Sequence, residues 1–172
     1  MKIKLTLLFL LLFSIKSFAQ LSLSETISYI DNKLKETADL KRTYNSQYTY
    51  ILSGLKFSTH STNKNKVVLS FNRAFSDNTS DELQYIFDPT HISEVTIKSD
   101  TNTEAVGMMV VRFVGETVID RQKATKLTET TTKSFTFPYL RTDKLNAERL
   151  IKAFLLLKDL YNAKKSPDPF LN

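Results

Sequence analysis

The chain of 172 residues carries 24 basic and 18 acidic side chains, no cysteine, three glycines and two histidines. The lack of cysteine excludes disulfides and thiolate metal sites, and two histidines without HxxxH spacing do not make an ordinary zinc site. Three glycines are too few for a phosphate-cradling loop or a dinucleotide-binding fingerprint. We therefore predict no cofactor and no metal.

The first nineteen residues have the composition of a secretory signal peptide. Two lysines precede an apolar run over residues 5–13, and small residues stand at positions 17 and 19. The run is too short for a spanning helix, which needs about 20 residues. We predict cleavage after Ala19, a periplasmic or secreted protein without a transmembrane segment, and a single domain over residues 20–172.

Cleavage would also change the charge of the chain. It would remove three of the 24 basic residues and no acidic one, which leaves 21 basic against 18 acidic residues and a net charge of +3. Binding to nucleic acid needs basic residues concentrated on one face. We therefore predict no nucleic-acid partner.

The mature chain opens with a pattern that predicts an amphipathic helix over residues 22–38. Ser22 and Glu25 have the spacing of a capping box. Apolar residues recur at helical intervals on one face: Leu23, Ile27, Ile30 and Leu34.

From about residue 46 to 137 the apolar period falls to two, which predicts six or seven strands. In "KVVLSFNRAF", Val67, Leu69 and Phe71 fall on one face and Val68, Ser70 and Asn72 on the other. The phase of the preceding strand slips at Ser53–Gly54, which predicts a bulge. "AVGMMVVRFVG" is apolar on both faces, and "TKLTETTTKSFTF" reads as one long Thr-rich strand. Short connections favour antiparallel pairing.

A second amphipathic helix is predicted over residues 143–163, with Thr142 or Asp143 as its cap. Leu155 and Leu156 widen its apolar arc beyond what one flat contact needs. We expect it to pack into the concavity of a bent sheet; a partner surface and a membrane surface are the alternatives. The centre of the stripe is formed by Ala147, Leu150, Phe154, Leu157 and Tyr161.

The fold class predicted is therefore α+β: an N-terminal helix, a bent antiparallel sheet or barrel of six to seven strands, and a closing helix. The passage "YIFDPTHISEVTIK" resembles the strand–turn–strand unit of pleckstrin-homology-like and GRAM-like barrels, in which a C-terminal helix plugs one end of a seven-stranded sheet. "ETISYIDNKL" and "ERLIKAFLLLKDL" resemble small exported proteins of Bacteroidota. Lipocalin-like and cystatin-like folds are the competing interpretations.

The loop "STHSTNKNK" occupies the place where the resemblance puts basic residues that bind lipid headgroups. It offers only Lys64 and Lys66 beside His60. The resemblance therefore implies no typical phosphoinositide site.

Candidate site residues are few. Arg112 interrupts an otherwise apolar strand, which is typical of a sheet rim or an ion pair and less often of a ligand contact. Leu155 and Leu156 could contact a partner. The acidic loop "SDNTSDE" lacks the glycine and glutamate of an EF-hand, and Glu116 and Asp120 could be proposed as an acid–base pair.

No catalytic constellation is recognisable, since a GxSxG elbow is missing. We therefore expect a non-enzymatic binding or accessory domain of the bacterial cell envelope, acting on an unknown protein, glycan or lipid. A lipocalin-like carrier of an apolar small molecule is the alternative, because Phe-rich and Tyr-rich strands could line a cavity. A hydrolase comes third.

Overall fold

The computed structural model of the protein describes residues 21–44, 48–99 and 104–165, and the predicted signal peptide lies outside them. In chain order the elements are α1 (Leu23–Lys35), β1 (Lys41–Tyr44), β2 (Tyr48–Thr59), β3 (Val67–Phe75), β4 (Ser80–Phe87), a 3-10 helix (Pro89–His91), β5 (Ile92–Ile97), β6 (Val106–Phe113), β7 (Val118–Lys123), β8 (Leu127–Thr132), β9 (Ser134–Leu140) and α2 (Asn146–Lys165). The α+β class is confirmed.

The strands form two sheets. One has six strands in the order β1-β2-β3-β4-β7-β8, and the other has three in the order β5-β6-β9. All pairs between described strands are antiparallel. Aromatic rings join the facing sides of the sheets: Phe87 meets Phe113 with ring centroids 5.1 Å apart, and Tyr85 stacks on Phe135 at 4.8 Å. The core lies between the two sheets.

The prediction of one bent sheet or barrel with six to seven strands is wrong, because the described residues contain nine strands in two sheets that do not close on each other. Two features account for the count. The four-residue strand β1 is too short to show a period. The Thr-rich run is divided at Lys133, where the chain leaves the six-stranded sheet as β8 and enters the three-stranded sheet as β9.

The bulge predicted at Ser53–Gly54 is confirmed. The pairing of β2 with β3 shifts between Ser53 and Lys56, and Gly54 has a φ of 60°, a conformation that glycine adopts without steric cost. The extra residue keeps both Leu52 and Leu55 buried. The bulge also sets the register in which Lys56 faces away from the core.

Helix α1 begins as predicted, and its capping box is complete: the Ser22 hydroxyl accepts from the backbone N–H of Glu25, whose carboxylate accepts from the backbone N–H of Ser22. The helix ends at Lys35, three residues before the predicted end. Ile30 and Leu34 are fully buried. This face packs on β2 and α2.

Helix α2 closes the structure as expected for its apolar stripe, whose five central residues are all buried. The ring of Phe154 lies 5.6 Å from that of Phe57 in one sheet and 4.9 Å from that of Phe137 in the other. Asp143 accepts the backbone N–H of Leu145 just before the helix begins. The helix therefore seals the space between the two sheets.

The C-terminal end of α2 is tied to two loops. Lys164 Nζ donates to the carbonyl of Lys64 at 2.7 Å, and Lys165 Nζ donates to Asp88 and to the hydroxyl of Thr90. Among the described residues, neither helix is long and apolar enough to cross a membrane.

Candidate functional site

A row of polar residues crosses the outer face of the six-stranded sheet, the face turned away from the three-stranded sheet. The residues come from five neighbouring strands and lie directly opposite one another in the antiparallel register. In order across the sheet they are Lys56, Ser70, Gln84, Arg121 and Glu129. Side chains in such a row have Cβ atoms close enough to interact.

A cleft of about 390 Å³ lies over the first four residues of this row. Its short side chains are three serines, a threonine and a valine, and its long side chains belong to a lysine, an arginine, a histidine and a glutamine. None of the described residues that line it is acidic. They are Lys56, Ser58, Thr59, His60, Ser61, Val68, Ser70, Gln84 and Arg121.

The two cations of the cleft differ in their contacts. Arg121 donates from Nε to Glu129 at 2.6 Å and from Nη1 to the Gln84 side-chain oxygen at 3.3 Å. A guanidinium has five N–H groups, so these two contacts hold Arg121 in place and leave donors unused. Lys56 makes no hydrogen bond or ion pair with any described residue, and its three donors are available to a ligand.

His60 enters the cleft with its ring orientation determined by the loop between β2 and β3. Its Nδ1 accepts backbone N–H groups from Thr62 at 3.3 Å and Asn63 at 3.2 Å. Because Nδ1 is an acceptor in this arrangement, the ring proton resides on Nε2. The imidazole therefore presents a hydrogen-bond donor.

A second cleft of about 260 Å³ adjoins the first and shares Gln84 and Arg121 with it. Its charge is mixed, since Glu82 and Glu129 face Arg121 and Lys123 there. Leu127, which is 57% exposed, adds an apolar surface. The two clefts make one polar depression that extends across β4 and β7.

Arg112 lies in the other sheet and lines neither cleft. It stands directly opposite Glu94 on β5, and Arg112 Nε is 3.0 Å from the Glu94 carboxylate. Both side chains are more than half exposed. The ion pair expected for Arg112 is present but on the surface, so the pair contributes little to stability, and its predicted role as a ligand contact stays a prediction.

Leu155 and Leu156 lie on the solvent side of α2, away from the buried stripe. Leu155 is 41% exposed and Leu156 is half-buried. Neither lines either cleft. Their predicted role as partner contacts also stays a prediction.

The acidic loop does not gather its carboxylates around one point. Asp77 accepts hydrogen bonds from Thr79 and thereby closes the turn. The Asp81 carboxylate accepts hydrogen bonds from Nε and Nη2 of Arg73. Glu82 faces the second cleft. In the described part of the chain, no group of three metal-ligating side chains occurs.

The suggested acid–base pair is not assembled on one strand. Glu116 lies before β7 and is exposed, whereas Asp120 lies inside β7 on the inner face, opposite Tyr85. Burial raises the pKa of the Asp120 carboxyl, although Arg73 opposes this. One Asp120 oxygen is buried and has no hydrogen-bond partner among the described residues.

Sequence reasoning did not find the cleft. The alternation of β3 places Ser70 on the face opposite the core, but the partners of Ser70 come from strands that are 14 and 51 residues away, at Gln84 and Arg121. The signal that could have pointed to it is the outer face of β3, where Ser70 and Asn72 follow Val68 at alternate positions.

Comparison of the chain with protein-family models found no match, and no curated protein or solved structure is significantly similar to it. The resemblance to pleckstrin-homology-like domains therefore stays a prediction.

Proposed function

We propose that residues 20–172 form an exported, non-enzymatic binding domain of the bacterial cell envelope, and that the cleft over Lys56, Ser70, Gln84 and Arg121 is its binding site. The observation that carries the proposal is the lining of this cleft. Among the described residues, it combines a lysine without a partner, an oriented arginine and several hydroxyl groups with no carboxylate. A surface that serves solubility alone does not need that combination.

The chemistry of the cleft favours binding over catalysis. A hydroxyl nucleophile needs a base with a free lone pair, and the ring nitrogen of His60 that has a lone pair, Nδ1, already accepts N–H groups from its own loop. His60 therefore acts as a donor. The described residues that line the cleft therefore offer donors for a polar ligand, but neither a carboxylate nor a free imidazole lone pair to activate water.

The architecture supports a pleckstrin-homology-like interpretation, because two antiparallel sheets pack on each other and a C-terminal helix closes the space between them. Helix α1, the exported location and the nine described strands in two sheets that do not close are departures from that family. In this proposal the partner is an envelope glycan, lipid or protein.

The alternative, a carrier of an apolar small molecule, would place the ligand between the sheets. The aromatic side chains there contact each other instead: Phe135 meets Phe87 at 5.0 Å and Phe113 at 5.6 Å, and Phe137 meets Phe154 at 4.9 Å. Such packing favours a ligand outside the core.

The test is mass spectrometry of the exported form recovered from a bacterial host, under native and then denaturing conditions. We expect a chain that begins at Gln20 and carries an additional mass that is lost on denaturation. The additional mass should persist in Arg112→Gln, the matched control in the other sheet, and fall in Arg121→Gln. An additional mass that both variants retain equally would show that the ligand binds outside the cleft. A chain without any additional mass would overturn the proposal.

A further inference from the structure

The lining of the larger cleft indicates the chemistry of its ligand. Lys56 and Arg121 bring positive charge, and no described lining residue is acidic. The nearest carboxylate in the row, Glu129, lies beyond Arg121 and is occupied by it at 2.6 Å. The lining of this cleft therefore has a net positive charge, contributed mainly by Lys56 because Glu129 offsets the charge of Arg121, and positive charge favours anions.

The spacing of the two cations indicates the size of the ligand. Lys56 on β2 and Arg121 on β7 are separated by β3 and β4. Three interstrand steps of about 4.8 Å put their backbones about 14 Å apart. The Lys56 side chain is long enough to reach inwards, and Arg121 Nη1 already reaches the Gln84 side chain at 3.3 Å. The short side chain of Ser70 lies between them in the row. The space suits a molecule of roughly monosaccharide size better than a bare ion.

The remaining groups of the cleft suit a hydroxylated ligand. Ser58, Ser61 and Ser70 can each donate and accept a hydrogen bond, and Gln84 offers an amide. His60 adds a donor at Nε2. No Phe, Tyr or Trp lines the cleft among the described residues, so a sugar would be held mainly by hydrogen bonds and charge.

The cleft is organised before a ligand arrives. The β2–β3 connection that carries His60 is held at its base, where the His60 N–H donates to the Lys66 carbonyl at 2.9 Å. Its tip is held by helix α2, since Lys164 Nζ donates to the Lys64 carbonyl at 2.7 Å. A site that needs no ordering loses less entropy when it binds.

We propose that this cleft binds a hydroxylated organic anion, of the sugar-phosphate or sugar-acid class, with the anionic group held by Lys56 and Arg121 and the hydroxyl groups held by the serines and Gln84. The inference rests on the proposed function and names the ligand class of the same site. Phosphate and carboxylate share the chemistry of an oxyanion that accepts charge-assisted hydrogen bonds.

The experiment is a titration of the ¹⁵N-labelled exported chain, followed by amide chemical shifts, with four probes: glucose 6-phosphate, glucuronate, glucose and inorganic phosphate. We expect shifts on β2, β3, β4 and β7 with one or both sugar anions, and much weaker binding of glucose and of inorganic phosphate. Binding of one anion alone supports the proposal and identifies the group. Added salt should weaken binding, because exposed charges are screened.

Variants locate the site. Lys56→Gln and Arg121→Gln should each weaken binding of the sugar anion about tenfold or more, the loss expected for a charge-assisted hydrogen bond. Lys98→Gln removes an exposed cation next to the three-stranded sheet and should leave binding unchanged.

Four results would overturn the inference. Glucose that binds as tightly as the sugar anions would exclude a charge requirement, and inorganic phosphate that binds as tightly would exclude the hydroxylated part. Cleft variants that bind like the wild type would exclude this site. A neutral envelope adduct that depends on Arg121 would exclude the ligand class and leave the proposed function intact, whereas no adduct and no anion binding would remove both.

Discussion

Strand β7 places neighbouring residues on opposite faces of the six-stranded sheet, where they meet opposite surroundings. Arg121 on the outer face bonds Glu129 and Gln84 and lines the clefts. Asp120 on the inner face has a buried oxygen without a partner among the described residues. The same alternation thus produces a face on which charges are solvated and can bind, and a face on which an unpaired charge costs free energy.

The inner-face residues are expected to determine stability, and the residues of the outer row are those proposed to bind a ligand. The inner face and α2 supply a continuous set of aromatic contacts from Phe57 and Phe87 to Phe154. The outer row is polar and makes few contacts with the rest of the protein. Mutations should therefore divide into two classes, and four predictions test that division from the largest effect to the smallest.

The largest effect is expected at the point where α2 seals the two sheets. Phe154→Ala should lower the free energy of unfolding by about 3–5 kcal/mol, because it empties a fully buried position between two rings. The next residue, Leu155, is 41% exposed. Leu155→Ala should therefore change the free energy of unfolding by less than about 0.5 kcal/mol. Urea unfolding measures both, and equal losses would contradict the assignment of the buried stripe.

A smaller effect is expected at Gly107 in the middle strand of the three-stranded sheet. A Cβ at this position would lie 2.3 Å from the ring of Tyr139, which covers the glycine. Gly107→Ala should therefore cost about 1–3 kcal/mol through overpacking. Thermal unfolding of the double variant with Tyr139→Leu provides the control: the two losses should be less than additive, and strict additivity would show that the ring is not the obstacle.

A pH-dependent effect is expected at Asp120. Burial raises the pKa of its carboxyl above the ordinary value, so the contribution of Asp120 to stability is full below the ordinary value of about 4 and is lost as the pH rises through the raised value. Asp120→Asn should raise both Tm and the free energy of unfolding at neutral pH. The gain in free energy should be below about 1 kcal/mol, because solvent screens the partly exposed group. The gain should vanish in acid.

Asp88 is the matched control for Asp120, with the opposite sign. Burial alone would raise the pKa of Asp88, but hydrogen bonds from Lys165 and Thr90 outweigh it and lower the pKa. The contribution of Asp88 is therefore present above the ordinary value and lost as the pH falls through the lowered one. Asp88→Asn should lower Tm at neutral pH, and less so in acid. The same sign for both variants would contradict the comparison.

The smallest effect on stability is expected on the outer face. Lys56→Gln should change the free energy of unfolding by less than about 0.5 kcal/mol, because Lys56 contacts no partner among the described residues and is not part of the core. Urea unfolding measures this change beside the loss of anion binding. A large loss of stability in this variant would show that the outer face also has a structural role.

The local pattern of the sequence was enough to predict both helices and most of the strands. The capping box at Ser22 and Glu25, the alternation of β3, the bulge at Gly54 and the buried stripe of α2 all agree with the structure. Each depends on residues within a few positions of one another. Steric preference and the period of apolar side chains act over that range, so one sequence suffices to read them.

Pairing between strands was decided only by the tertiary structure. The single Thr-rich run became β8 and β9 in different sheets, and β7 joined β4 across the intervening β5 and β6. The cleft depends on that pairing, because Lys56 and Arg121 are 65 positions apart in the chain and share a row only in the folded sheet. The register between strands is set by the burial of many side chains at once. The local period of apolar residues therefore does not determine which strands pair.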